Sequence, residues 1–162
     1  MGSGKSTVGK VLAEELGYRF VDTDEEIEKE TGKKIKDIFK EYGEEYFRNL
    51  ERKKILELSK KKNLVISTGG GLPANKENLS IMKNSGVVIW LKIDFDTFLN
   101  RVGNDENRPL LKEDINKLKE RFNKRKKYYS QADIVVINDN TKTVDETVKD
   151  ILENIKEKLI LF

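Results

Sequence analysis

The chain has 162 residues, of which 38% are charged and 36% are hydrophobic, and its formal net charge is +3. This length suits one compact domain with a buried core, and so small a net charge gives no argument for nucleic-acid binding. Because the sequence contains neither histidine nor cysteine, imidazole acid–base chemistry, thiol nucleophiles, disulfides and zinc sites built on these residues are excluded.

Apolar runs and helical patterns alternate along the chain. Buried strands are predicted over 19–21, 64–67, 87–91 and 134–137, and helices over 7–16, 46–60, 76–83, 95–102, 115–129 and 144–159. This alternation favours right-handed crossovers and a parallel sheet covered by helices on both faces. No run approaches the ~18 apolar residues of a membrane span and no signal peptide is recognisable, so we expect a cytoplasmic protein without a membrane partner.

The chain opens on Met1-Gly-Ser-Gly-Lys-Ser-Thr7, which is most of a phosphate-binding loop. The full motif is G-x-x-x-x-G-K-[ST] between a strand and a helix, and its first glycine would fall one residue before Met1. Such a stretch can also be a flexible tag remnant, but Thr7 leads without a break into an amphipathic helix, which tags rarely do. Lys5 can reach the β and γ phosphates, the Ser6 hydroxyl can ligate Mg²⁺, and the helix amino terminus favours an anion. The predicted ATP-phosphate site consists of Gly2, Ser3, Gly4, Lys5, Ser6 and Thr7.

Two carboxylates follow the first predicted strand, in Asp22-Thr-Asp24. In phosphate-loop proteins an Asp at the end of a buried strand holds the Mg²⁺ shell, so Asp22 is the candidate for the metal and Asp24 for a substrate hydroxyl. The same residues can also be read as an N-cap for the helix that begins near Glu25. Both readings are compatible with the sequence.

Further along the chain the spaced motifs resemble those of the shikimate kinases. In order they are Gly2-Ser-Gly-Lys-Ser-Thr7, Asp22-Thr-Asp24, Gly43-Glu-Glu-Tyr-Phe-Arg48 with Glu51, Thr68-Gly-Gly-Gly71, Arg101 with Asn107-Arg-Pro-Leu-Leu111, and Lys124-Arg125 before Tyr128, Tyr129 and Ala132-Asp133. The resemblance implies a single kinase domain over 1–162, of the phosphate-loop type with a three-layer parallel sheet. It also implies a substrate-binding insertion over 24–60 and a lid over 103–116.

The resemblance implies transfer of the ATP γ-phosphoryl group to the 3-hydroxyl of shikimate, with ATP and Mg²⁺ as cofactors. Lys5, Asp24 and Arg108 are then the catalytic residues, with Arg108 closing over the phosphates from the lid. Arg101 and Lys142 are expected near the nucleotide. The shikimate site is expected to consist of Asp24, Arg48, Gly69, Gly70, Gly71 and Arg125. We expect a monomer.

Two departures from the family pattern leave alternatives open. The strand that precedes the phosphate loop is not in this sequence, so we expect a sheet that lacks its central first strand; the apolar tail at 158–162 could fill that place as a strand. One residue fewer separates the tyrosines from Ala132, so Lys124 competes with Arg125 as the second carboxylate ligand. The alternative functions are another small-molecule or nucleoside monophosphate kinase, or a binding form without turnover.

Overall fold

A computed structural model describes residues 4–93, 95–103, 112–139 and 141–160. Helices and strands alternate along these residues. The strands are β1 Arg19–Asp22, β2 Leu64–Ser67, β3 Ile89–Lys92 and β4 Ile134–Ile137, and the helices are α1 Lys5–Leu16, α2 Thr23–Thr31, α3 Ile35–Tyr42, α4 Glu44–Ser59, α5 Lys76–Ser85, α6 Phe95–Gly103, α7 Lys112–Tyr129 and α8 Val144–Ile160. None of the helices among these residues is long and apolar enough to cross a membrane.

The predicted strands are confirmed, with one shift. β2 and β4 have the predicted bounds and β1 is one residue longer, but β3 begins at Ile89 instead of Val87. The backbone amide of Val88 donates to Asp133 Oδ2 at 2.8 Å, and its carbonyl accepts from the amides of Asp133 and Ile134. The chain before β3 is therefore tied to the turn before β4.

The four strands form two separate parallel pairs. β1 pairs with β2, with Arg19 opposite Leu64, and β3 pairs with β4, with Ile89 opposite Ile134. Within the described residues no strand joins the two pairs, in agreement with the expected gap at the centre of the sheet.

Helix α1 links the two pairs on one side. Val8 and Leu12 of α1 pack with Ile134 and Val136 of β4 and with Val148 and Ile151 of α8. Partly buried residues of the inner strands border the same cluster, namely Val65, Ile89 and Leu91. The main core therefore lies under α1 and α8 and spans the gap.

A cavity of about 70 Å³ lies along β3. Its lining includes the consecutive residues Val88, Ile89, Trp90 and Leu91. Successive strand side chains point to opposite faces, so a cavity that touches the strand residues Ile89, Trp90 and Leu91 in a row reaches the edge of the strand. Since the other edge is paired with β4, the cavity lies where a central strand would pair.

The carboxyl-terminal tail does not supply that strand. α8 continues to Ile160, so Leu159 and Ile160 are helical, and only two residues lie beyond it, outside the described part of the chain. Two residues are too few for a strand. The idea that the tail fills the central position is therefore wrong.

The insertion after β1 has a small core of its own. Ile27 of α2, Ile38 of α3 and Phe47 of α4 are buried together, which fixes α4 against the helices that follow β1. At the other predicted insertion, α7 already begins at Lys112, so residues 112–116 of the expected lid are helical. Gly103 ends α6, and the remainder of that lid, 104–111, lies outside the described residues.

Candidate active site

The amino terminus of α1 meets the carboxyl end of β1 through a hydroxyl and a carboxylate. Ser6 Oγ donates to Asp22 Oδ2 at 2.9 Å. Asp22 Oδ1 accepts from the backbone amides of Asp24 and Glu25 at 2.9 and 3.2 Å. Asp22 is thus the N-cap of α2 and the partner of Ser6 at the same time. The N-cap interpretation is confirmed, and the interpretation as a metal ligand stays a prediction.

The Ser6 and Asp22 oxygens suit Mg²⁺, which prefers hard oxygen ligands and is usually held by one or two protein groups, substrate phosphates and water. Among the described residues no cluster of three acidic side chains could hold a metal by itself. A Mg²⁺ ion at this place would therefore depend on nucleotide phosphates for its other ligands.

The loop that follows β4 lies beside the phosphate loop. Gly4 has φ 75°, in the left-handed region, directly before α1, and a Cβ there would lie 3.3 Å from Asn138 Nδ2. Asn138 Oδ1 in turn accepts from Thr147 Oγ1 at 3.0 Å. Lys142 lies in this loop, where its Nζ donates to Asp150 Oδ2 of α8 at 2.6 Å. The expected nucleotide contact of Lys142 would therefore compete with this ion pair.

Asp24 lies in the first turn of α2, half-buried and against the glycine run. A Cβ at Gly69 would lie 3.0 Å from both Asp24 carboxylate oxygens, so a larger residue there would press against the carboxylate. Oδ1 is buried and has no hydrogen-bond partner among the described residues. Burial, and then the charge of Asp22, raise the pKa of Asp24, while Lys5 and Arg48 act in the opposite direction. A buried acceptor without a donor suits a substrate hydroxyl.

Arg48 approaches the same glycine run from α4. A Cβ at Gly71 would lie only 2.4 Å from Arg48 Nη1. That nitrogen donates to Glu51 Oε1 at 2.6 Å, and Nη2 lies 3.3 Å from Glu44 Oε1. Burial alone would lower the pKa of Arg48, but the ion pairs with Glu51 and Glu44 raise it above its usual value. Glu51, whose side chain is 1% exposed, thus orients the guanidinium from behind.

Arg125 is the second cation at this place. Burial, together with the like charges of Arg121 and Arg48, lowers the pKa of Arg125, and Tyr129 acts in the opposite direction. Lys124, the alternative, is 76% exposed and pairs with Glu120 at 3.2 Å. The structure therefore brings Arg125, and not Lys124, to Arg48. Two arginines close enough for their charges to interact suit a carboxylate, which the planar guanidinium binds with two parallel hydrogen bonds.

Several expected site residues lie outside the described part of the chain, namely Gly2, Ser3 and Arg108. The backbone of Arg101 belongs to α6, but its side chain is outside the described part as well. Thr7 is an exposed residue of the first turn of α1, and Lys5, at the start of that helix, borders the cavity along β3.

Two residues of the site were given no role in the sequence analysis. Glu51 lies three positions after Arg48 on α4, and Tyr129 lies four positions after Arg125 on α7. These are the spacings at which helical side chains meet, so the sequence already indicates that Glu51 can contact Arg48 and that Tyr129 can contact Arg125. Only the packing of α4 and α7 against the glycine run shows that these two pairs belong to the site.

The two parallel strand pairs, the Gly4-Lys5-Ser6 segment at the start of α1 and the bond from Ser6 to Asp22 at the end of β1 define the class of the protein as a phosphate-loop kinase. The family model for shikimate kinase matches residues 1–156. A shikimate kinase of Persephonella marina is 56% identical over 156 residues, 96% of this chain and 94% of that protein. The chain belongs to the shikimate kinase family.

Solved structures agree with this assignment. The crystal structure of shikimate kinase from Aquifex aeolicus is 45% identical and has a TM-score of 0.89, covering 98% of this chain and 94% of the other. The shikimate kinase of Acinetobacter baumannii in complex with shikimate is 36% identical with a TM-score of 0.88, covering 98% and 89%. The α/β architecture expected from the sequence is therefore confirmed.

Proposed function

We propose that this chain transfers the γ-phosphoryl group of ATP to the 3-hydroxyl of shikimate. Membership of the shikimate kinase family supports the reaction. One structural observation supports the choice of shikimate as the acceptor. Asp24 and Arg48 converge on Gly69 and Gly71, with Arg125 beside Arg48. An Asp24 oxygen without a partner among the described residues, near Arg48, matches a small acid that carries hydroxyl groups.

On the acceptor side, we assign Arg48 and Arg125 to the shikimate carboxylate and Asp24 to the hydroxyl that attacks. The glycine run, with Gly70 at its middle, lies against the ring of the acceptor. Binding at both ends of the ring orients the hydroxyl for in-line attack, and orientation of this kind is a large part of phosphoryl-transfer catalysis. The raised pKa of Asp24 makes it a better proton acceptor than an exposed aspartate.

On the donor side, backbone amides from Gly2 to Thr7 surround the phosphates, and Lys5 and Arg108 neutralise the charge that spreads over the γ-phosphoryl oxygens. Arg101 and Lys142 contact the nucleotide. Ser6 and Asp22 would hold Mg²⁺, which supplies further positive charge at the phosphates when bound. We also propose that the protein acts as a monomer in the cytoplasm, where ATP is available; sedimentation at working concentration tests the monomer.

A coupled assay of ADP release with ATP and Mg²⁺, with and without shikimate, tests this proposal. We expect ADP release that depends on shikimate and does not occur with a nucleoside monophosphate as acceptor. The alternative is a form that binds shikimate without turnover. Shikimate binding in a calorimeter without ADP release would select that alternative, and absence of both would refute the proposal.

A further inference from the structure

The hydroxyl of Tyr129 lies between two parts of the proposed acceptor site, Arg125 and the glycine run. It donates a hydrogen bond to the backbone carbonyl of Gly70, from a position 59 residues away in the chain. The Arg125 guanidinium, one turn earlier on α7, hydrogen-bonds the same hydroxyl. One oxygen therefore contacts both the cation from α7 and the glycine run that follows β2.

The position of this hydroxyl is set by packing. The Tyr129 ring lies 5.7 Å from the Trp90 ring, centroid to centroid, at an angle of 51°, so β3 supports the ring. Burial raises the pKa of Tyr129 above its usual range, although Arg125 acts in the opposite direction. The phenol thus stays protonated at neutral pH and remains a donor to Gly70.

The carbonyl of Gly70 has a different partner from those of its neighbours. The carbonyls of Gly69 and Gly71 accept from the amides of Leu72 and Ala74 at 3.2 Å each, which are local bonds within the turn. The Gly70 carbonyl instead accepts from Tyr129. Because Gly69 lies against Asp24 and Gly71 against Arg48, this bond holds the middle of the segment that separates the two acceptor-site side chains.

We propose that Tyr129 is a positioning residue of the acceptor site, whose hydroxyl sets the Arg125 guanidinium and the Gly69 to Gly71 turn at a fixed separation. This inference rests on the proposed function, in which Arg125 and Arg48 bind the acceptor carboxylate. A residue with this role affects the affinity for the acceptor and leaves the phosphate loop undisturbed.

The test compares Tyr129→Phe with Tyr128→Phe. The second variant is the control, because it removes a tyrosine hydroxyl from the preceding residue of α7, whose ring is contacted by Lys127 Nζ. Calorimetry measures the affinity for shikimate and, separately, for a non-hydrolysable ATP analogue. We expect Tyr129→Phe to weaken shikimate binding roughly tenfold and to leave the nucleotide affinity unchanged. Tyr128→Phe should change neither affinity by more than about twofold.

Equal shikimate affinities in the two variants would overturn the inference. A parallel loss of shikimate and nucleotide affinity would also overturn it, because that pattern indicates general loss of structure. Hydrogen exchange of the amides in 68–74 without ligand gives a second measurement, which does not depend on shikimate. Faster exchange in Tyr129→Phe alone supports the inference, and equal exchange refutes it. If the unmodified chain fails to bind shikimate, the proposed function fails and the exchange data still decide this inference.

Discussion

At the scale of single residues, the pKa of Asp24 connects the proposed acceptor site with the stability of the fold. Its carboxylate is half-buried, close to Asp22, and has one oxygen without a partner among the described residues. The pKa of Asp24 is therefore raised above its value in an unfolded chain. A raised folded-state pKa means that the stability contributed by the protonated carboxyl is present below the unfolded pKa and is lost as pH rises through the folded pKa.

Asp24→Asn should therefore stabilise the protein while it abolishes turnover. We expect the midpoint of thermal unfolding to rise by about 2 °C or more at pH 7, because the uncharged amide avoids the cost of a buried charge, and the difference to vanish below pH ~3.9, where the unfolded carboxyl is also protonated. Calorimetric scans at both pH values and the value of kcat measure this. The control is Glu25→Gln, an exposed neighbour on α2. A lower midpoint for Asp24→Asn at pH 7, or an unchanged kcat, would contradict the prediction.

Gly71 matters because its missing side chain leaves room for a guanidinium. In Gly71→Ala the new methyl group would lie 2.4 Å from Arg48 Nη1, and the flexible Arg48 side chain should move away. We expect shikimate affinity to fall at least ~10-fold, since a charge-assisted pair is misplaced, with nucleotide affinity unchanged. The matched control is Gly86→Ala, where a Cβ meets nothing within 4 Å. If calorimetry gives both variants the shikimate affinity of the parent chain, the close approach of Arg48 has no role in binding.

At the scale of elements, Asp22 combines a helix cap with a proposed metal contact, and a single substitution can separate the two. Its Oδ1 caps α2 and its Oδ2 faces Ser6. Asparagine caps a helix about as well as aspartate does, but it is neutral and a poorer partner for Mg²⁺.

Asp22→Asn should keep the thermal midpoint within about 2 °C and lose most of kcat, whereas Asp22→Ala should lose kcat and in addition about 1 kcal/mol of unfolding free energy. The two variants are controls for each other in unfolding scans and in ADP-release assays across Mg²⁺ concentrations. Equal stability of the two would mean that the cap contributes little. Full activity of Asp22→Asn would remove Asp22 from the metal site.

At the scale of the whole molecule, no strand of the described residues lies between the two strand pairs. The edges of β2 and β3 that face this gap carry backbone donors and acceptors that a strand could pair, and a cavity lies along β3. The core residues of α1, β4 and α8 connect the two strand pairs, but they do so on one face of the sheet.

A segment of five β-branched residues and one glycine, added before Met1, should occupy the gap. We expect the thermal midpoint to rise by at least about 5 °C, because the segment buries apolar surface and pairs both edges. An extension of equal length made of glycine and serine is the control. Equal midpoints for the two extended chains would show that a strand does not enter the gap.

Local structure followed closely from local sequence. The strands β2 and β4 have the predicted bounds because each is a short apolar run between polar segments, and α1 and α8 match because their apolar residues repeat at helical spacing. The strand β3 begins two residues after its predicted start, because the Val88 amide donates a hydrogen bond to Asp133, which is distant in sequence. No window of sequence around Val87 contains that information.

The sequence by itself determined the four strands in their order, the alternation with helices, and the residue types that a kinase of a small acid requires, but it did not separate α2 from α3. The tertiary structure alone decided which side chains meet: it selected Arg125 over Lys124, set Glu51 behind Arg48, raised the pKa of Asp24 and joined Tyr129 to Gly70. The reason is physical. Spacing along a chain specifies which residues share a face of one element, but burial and charge depend on the elements packed against that face.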